Sequence, residues 1–195
     1  MTMDKKNDAP ESPSWYCADA DEHGFVSYEY LQRRIVAAGK EQFLRDFPVP
    51  ALHVVYRGSA PSQDVFDPNQ SGVQLLTVTV KSAGVLRYLG RVAFVCKKPG
   101  NPFAHLVSVG RSASNDVTIA VESVSKVHGY LVREEDGPWR FTDHGSTNGS
   151  KLNGKKLEAN QKYTLEDGDV LQLGLEVMLE FLGPEALYNR ITKTA

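Results

Sequence analysis

The chain has 195 residues, of which 41% are hydrophobic and 24% charged, and its formal net charge is −2. That length suits one ordinary domain with an extension, and that composition suits a chain with a buried core. The charge balance speaks against a nucleic-acid binder, which carries a basic face, so any anion site must be built locally from a few basic groups.

Two cysteines, Cys17 and Cys96, with no CxxC or Cys/His cluster, support neither a disulfide framework nor a zinc site. The opening MTMDKKNDAPESPS has no apolar signal region, and no apolar run reaches the roughly 18–20 residues of a membrane span. A cytoplasmic protein without membrane insertion is therefore expected.

In chain order, residues 1–20 are polar and aperiodic and are expected to form a disordered tail. Leu31, Ile35 and Val36 fall on one predicted helical face that stops at Gly39. Phe43, Leu44 and Phe47 predict a second short helix, ended by Pro48 and Pro50. ALHVVY (51–56) and VQLLTVTV (73–80) predict strands separated by a Pro/Gly/Ser/Asp-rich loop. Residues 21–87 thus read as a small α/β extension without a chemical motif.

After Gly90 the texture becomes all-β. RVAFVCK alternates, with Val92, Phe94 and Cys96 on one face. LVSV (106–109), VTIAV (117–121), GYLV (129–132), WRFTD (139–143), YTL (163–165), VLQL (170–173) and LEVMLEF (175–181) follow, the last with Leu175, Val177, Leu179 and Phe181 alternating. Turn signals separate them, among them Asn153-Gly154, the favoured two-residue hairpin pair. Many short strands at close spacing predict a β-sandwich. GPEALYNRI then predicts a short C-terminal helix starting at Pro184, with Leu187 and Ile191 one turn apart.

Groups suited to phosphate sit at the predicted strand ends. Holding a phosphate takes a forked cation, small hydroxyl donors and exposed N–H groups. Arg111 ends one strand, Ser125 and Lys126 lie in VSKVH, and Thr147 and Asn148 lie in GSTNG. VGRSASND, VSKVH and DHGSTNG, followed by LNGKKL and LEDGDVLQLG, together resemble a forkhead-associated (FHA) domain over roughly residues 88–183, with residues 184–195 as a C-terminal helix and tail. The overall layout resembles stand-alone bacterial FHA proteins.

The resemblance implies a mainly β fold, a sandwich of about eleven strands that binds phosphothreonine in peptides, with no cofactor and no catalytic activity. By it, Arg111 binds the phosphate, Ser125 donates its hydroxyl, Lys126 adds a second polar contact, Thr147 closes the pocket and Asn148 holds the peptide main chain. Gly110, Asn115, His128, Asp143 and Gly149 are implied to shape the loops. The expected partners are a threonine-phosphorylated protein and an upstream Ser/Thr kinase.

Other readings of the same residues are weaker. A second Gly-Arg, in YLGR (88–91), is followed by VAFV instead of a polar loop, so Arg91 reads as a strand residue. DHGS (143–146) brings Asp, His and Ser together, but no G-x-S-x-G elbow accompanies them. Neither a P-loop nor GxGxxG occurs. A competing expectation is a phospho-independent assembly scaffold, for example of a secretion system.

Overall fold

The computed structural model describes residues 17, 19–55, 83–99, 101, 106–133 and 137–193. The expected strand at 73–80 and residues 1–16 and 18 of the expected tail lie outside the described residues. In chain order the described elements are β1 (Phe25–Ser27), α1 (Tyr28–Asp46), β2 (Ala51–Val55), α2 (Ala83–Leu86), β3 (Arg91–Phe94), β4 (Val107–Gly110) and β5 (Val117–Thr118). β6 (Gly129–Arg133), β7 (Trp139–Asp143), β8 (Ser150–Leu152), β9 (Lys155–Lys156), β10 (Lys162–Thr164), β11 (Val170–Leu173), β12 (Val177–Leu182) and α3 (Pro184–Lys193) complete them.

Two sheets face each other. An antiparallel sheet runs β1-β3-β2-β12-β11-β8-β9, and a five-stranded sheet runs β10-β7-β6-β4-β5, with β4 and β5 parallel. The fold is thus a mainly β sandwich with twelve strands among the described residues. The larger sheet draws on strands 25–27 and 51–55 as well as on those from residue 91 onward, and β2 sits between β3 and β12.

Alternation explains why these strands are apolar along their whole length. Leu52 and Val54 of β2 point into the core between the sheets, with Val107, Val109, Leu131, Phe141, Leu171 and Leu179. Ala51, Val92, Phe94 and Leu182 point to the opposite side, where α1 and α3 cover the sheet with Leu31, Phe43, Leu187 and Ile191. Period-2 side chains supply both faces of a sheet that is buried on both sides. Full burial of each leucine or isoleucine contributes about 1.5–3 kcal/mol, so Leu187 and Ile191 firmly attach α3. Glu180, buried on that face, accepts from Arg190 of α3 and lies 3.4 Å from His53 Nδ1. Cys17 is buried in this same helical layer.

α1 is two helical runs joined at Gly39, whose φ of 74° and ψ of 177° interrupt the helix. Its start is capped by Ser27, whose side chain accepts from Tyr30 N at 3.1 Å, a contact contributing about 1 kcal/mol. Val36, expected on the buried face, is instead 87% exposed: it lies about 100° around the helix from Ile35, past the edge of the covered stripe.

VTIAV pairs in a ladder only at Val117–Thr118. Ile119 and Val121 remain in the core, but Ala120 N–H goes to the Tyr88 hydroxyl at 2.9 Å and not to a strand. Asn153 (φ 51°) and Gly154 (φ 82°) form the expected tight turn between β8 and β9.

Candidate functional site

The strand end at Gly110 is where the loops converge. A Cβ on Gly110 would stand 2.5 Å from Lys126 O and 2.9 Å from Asn115 Nδ2, so glycine lets the loop before β6 press directly on the end of β4. Arg111 is then tied to that loop through main-chain acceptors: its N–H donates to Ser125 O at 2.9 Å and its Nε to Val124 O at 3.1 Å. Its two η nitrogens have no partner among the described residues. The side chain is therefore aimed while its charge stays uncancelled.

Asn115, buried, holds the loop after Arg111 in place. Its Nδ2 donates to Ser112 O at 2.8 Å and Lys126 O at 2.7 Å, and Ser112 N also donates to Lys126 O at 3.1 Å. The main chain of Lys126 thus serves as an anchor, while its ammonium stays exposed without a partner among the described residues.

Ser125 joins the second loop to the third. Its Oγ accepts from Thr147 N at 3.0 Å and donates to Thr147 Oγ1 at 3.3 Å. Beside it, Asn148, exposed, donates from Nδ2 to Ser123 O at 2.8 Å, and its side-chain Oδ1 has no hydrogen-bond partner among the described residues. The short run Ser123–Val124–Ser125 is therefore a spine, receiving Asn148, Arg111 and Thr147 in succession.

Beneath these loops lies a relay of buried polar groups. Ser125 N–H donates to His128 Nδ1 at 3.1 Å, so that nitrogen is an acceptor and the proton sits on Nε2. Nε2 lies 3.2 Å from Ser150 Oγ, and Ser150 Oγ donates to Asp143 Oδ2 at 2.5 Å. Asp143 also accepts from Ser146 N and Oγ, both at 2.7 Å. Burial keeps His128 below the ordinary imidazole pKa, against the pull of the Asp143 carboxylate, so the ring is neutral. Burial works against the Asp143 carboxylate too, but the Ser150 and Ser146 donors and His128 outweigh it and hold its pKa below the ordinary value.

Asp, His and Ser meet here in an order that differs from a hydrolytic triad. Asp143 engages the serine, the histidine's Nδ1 takes a main-chain N–H, and Ser150 is buried. His144 is exposed near the Tyr130 ring, with centroids 6.1 Å apart, so DHGS does not assemble a nucleophile either. Among the described residues no group of three or more His, Cys, Asp or Glu could hold a metal ion, and no helix is long and apolar enough to cross a membrane.

The structure therefore brings Arg111, Ser125, Lys126, Thr147 and Asn148 to one end of the sandwich, with Gly110, Asn115, His128 and Asp143 beneath them and Gly149 leading into β8. It also places residues there that the sequence did not single out. Ser150 completes the relay. Gly174 (φ +62°) presses against Ser123, a Cβ there standing 2.3 Å from Ser123 O, and donates its N–H to Gly149 O at 3.0 Å. The spacing of Ser146 and Ser150 from Asp143 was a signal for the first; the approach of Gly174 to Ser123 joins distant segments and left none.

Residues 107–174 match the family model described as FHA domain. An FHA domain-containing protein of Arabidopsis thaliana is 29% identical over 99 residues, 49% of this chain and 24% of that protein. The E3 ubiquitin-protein ligase rnf8-A of Xenopus laevis is 34% identical over 58 residues, 30% of this chain and 11% of the ligase. The chain thus spans a quarter or less of the curated relatives it matches. Among solved structures, the MEK1 FHA domain in complex with a HOP1 pThr peptide is 28% identical, covering 47% of this chain and 87% of that chain, with a TM-score of 0.38.

Proposed function

We propose that this chain, which carries an FHA domain across residues 107–174, is a phosphothreonine-dependent peptide-binding adaptor in Ser/Thr-kinase signalling. FHA domains are phosphothreonine-binding modules and generally non-catalytic. The observation that carries the reading is Arg111: its main-chain N–H held by the Ser125 carbonyl and its Nε by the Val124 carbonyl, with no carboxylate partner among the described residues, and set beside the Ser125–Thr147 hydroxyl pair.

On this reading the Arg111 fork grips two phosphate oxygens, Ser125 and Thr147 donate to the phosphate, and Lys126 adds a point charge. Asn148 accepts from the peptide main chain. Partners are threonine-phosphorylated proteins, the site needs no cofactor, and the protein acts in the cytoplasm downstream of a kinase. The threonine methyl, if buried beside the phosphate, contributes on the order of 0.8 kcal/mol over serine. A dissociation constant in the micromolar range, about −8 kcal/mol, fits a few charge-assisted hydrogen bonds set against the ordering of a peptide.

The test is fluorescence-polarisation binding to degenerate phosphothreonine, phosphoserine and unphosphorylated peptide libraries. Binding to phosphothreonine peptides that Arg111→Ala abolishes is expected. It should weaken as pH falls through the second phosphate pKa near about 6, because the dianion makes the stronger pair. Equal binding to all three libraries would favour the phospho-independent scaffold.

A further inference from the structure

The loop of Arg111 and the loop of Ser125 are joined by residues 116–121, and this connection runs along an edge of the five-stranded sheet. On its inner side Ile119 N–H donates to Gly110 O of β4 at 2.8 Å. Successive N–H groups of an extended chain point to opposite sides, so Thr118 and Ala120 turn theirs outward, where the sheet has no further strand among the described residues. Such edges are covered or paired in native proteins. Here the cover comes from residues far earlier in the chain: Thr118 N–H donates to His23 O at 3.2 Å and Ala120 N–H to the Tyr88 hydroxyl at 2.9 Å. Tyr88 is itself buried, its ring packed on Phe25 with centroids 5.0 Å apart.

The connection is fixed at its start through Asp116, whose side chain is buried. Its Oδ2 accepts from Lys97 Nζ at 2.9 Å and from Ser108 N and Oγ at 2.8 and 2.9 Å, and its Oδ1 accepts from Lys98 N at 2.9 Å. Lys97 Nζ also donates to Leu106 O, and Lys98 Nζ donates to Thr118 Oγ1 at 3.0 Å. Removing one partner of a buried ion pair leaves the other charge uncompensated and loosens what it held.

We propose, resting on the phosphopeptide reading above, that Tyr88 and Lys97 are positioning residues of the phosphothreonine site, fixing through Ala120 and Asp116 the segment that joins its two loops. The loops begin where the connection ends. Asn115, which holds Ser112 O and Lys126 O, directly precedes Asp116. Val121 O accepts from Val124 N at 3.0 Å, at the start of the run whose carbonyls hold Arg111. A connection already ordered in the free protein leaves less ordering for binding to impose, so affinity is higher than for the same side chains on a loose segment. His23, Tyr88, Lys97 and Lys98 all precede residue 107, where the match to the FHA model begins. The residues ahead of that match thus act on the site without touching phosphate.

The test uses the full chain and one phosphothreonine peptide from the library above, with affinity read by fluorescence polarisation and amide hydrogen exchange followed at residues 111–126. Tyr88→Phe removes one hydroxyl, and Lys97→Met removes the charge at similar volume. Each is expected to weaken binding about three- to tenfold and to speed exchange at residues 111–126. Lys97→Arg keeps a cation within reach of Asp116 and is expected to recover most of the affinity. Ile191→Val, in the helical layer on the far face of the other sheet, is the control: its melting temperature should fall while its affinity stays that of wild type.

Unchanged affinity in Tyr88→Phe or in Lys97→Met overturns the role of that residue and leaves the proposed function standing. So does a loss that Ile191→Val reproduces at equal melting temperature, or a Lys97→Met loss that Lys97→Arg does not recover. Wild type that binds no phosphothreonine peptide, or binds regardless of the phosphate, overturns both.

Discussion

Two Gly-Arg pairs stand at strand boundaries, and their surroundings are opposite. Arg91 opens β3 and its Nη1 lies 2.5 Å from Asp21 Oδ2, a carboxylate that also caps the turn into β1 through the N–H groups of His23 and Phe25. The preceding Gly90 adopts a φ of +68° in open space. Arg111 has carbonyls for neighbours, and its glycine is crowded on three sides. A carboxylate spends a guanidinium on structure; a carbonyl aims it and leaves its charge available. The dipeptide is common to both places, and only the partner decides whether an arginine can receive an anion.

The sharpest way to break this contrast is to remove each arginine. Arg111→Ala is expected to weaken phosphothreonine-peptide binding by more than about thirtyfold, the loss of a bidentate charge-assisted pair. Gly110→Ala comes next: the added Cβ has backbone and an amide to displace, so a stability loss of about 1–3 kcal/mol in urea unfolding is expected, with weakened binding. Gly90→Ala has room for its Cβ but a strained φ, and should cost about 1–2 kcal/mol while leaving affinity untouched.

Acid sharpens the comparison differently. His128 has a depressed pKa when folded, so the unfolded chain protonates first. The stability this contributes is full above about pH 6.5 and is lost as pH falls toward the lower folded value. His53, depressed by burial, acts in the same direction. Denaturant midpoints should fall between pH 7 and pH 5, and further below about pH 4 as Asp143 protonates. The smallest effect is expected from Arg91→Ala: at most about 1 kcal/mol of stability, since its ion pair is partly solvated, and a dissociation constant within about twofold of wild type.

Much of the sandwich was legible because its strands alternate or are bounded by turn residues. β7 and β11 fall where WRFTD and VLQL predict them, and α3 begins at Pro184. The residues meeting at the loop end were also legible, since they cluster in polar motifs between apolar runs. What the pattern did not carry was contact between distant segments. β1 is three residues long and has no period to detect. Leu175 reads as a strand residue until Gly174 is seen to press against Ser123. The spine at Ser123–Val124–Ser125 receives Asn148 and Arg111 through main-chain oxygens, and a main-chain carbonyl looks the same at every position of a sequence. Hence the side chains that meet at the loop end stood out in the sequence, while the main-chain contacts that orient them did not.

The position of β2 bears on how the chain is made. β2 lies between β3 and β12, is synthesised before both, and its register with β12 runs Ala51↔Leu182 to Val55↔Met178. A growing polypeptide therefore carries an apolar strand with one edge unsatisfied until β12, more than a hundred residues later in the chain, has emerged. Pairings of such long sequence separation close slowly, and open strand edges recruit other strands. Newly made molecules should thus pass through an interval in which association with one another competes with completion of the sheet, an interval that a helper protein covering β2 would shorten or shield.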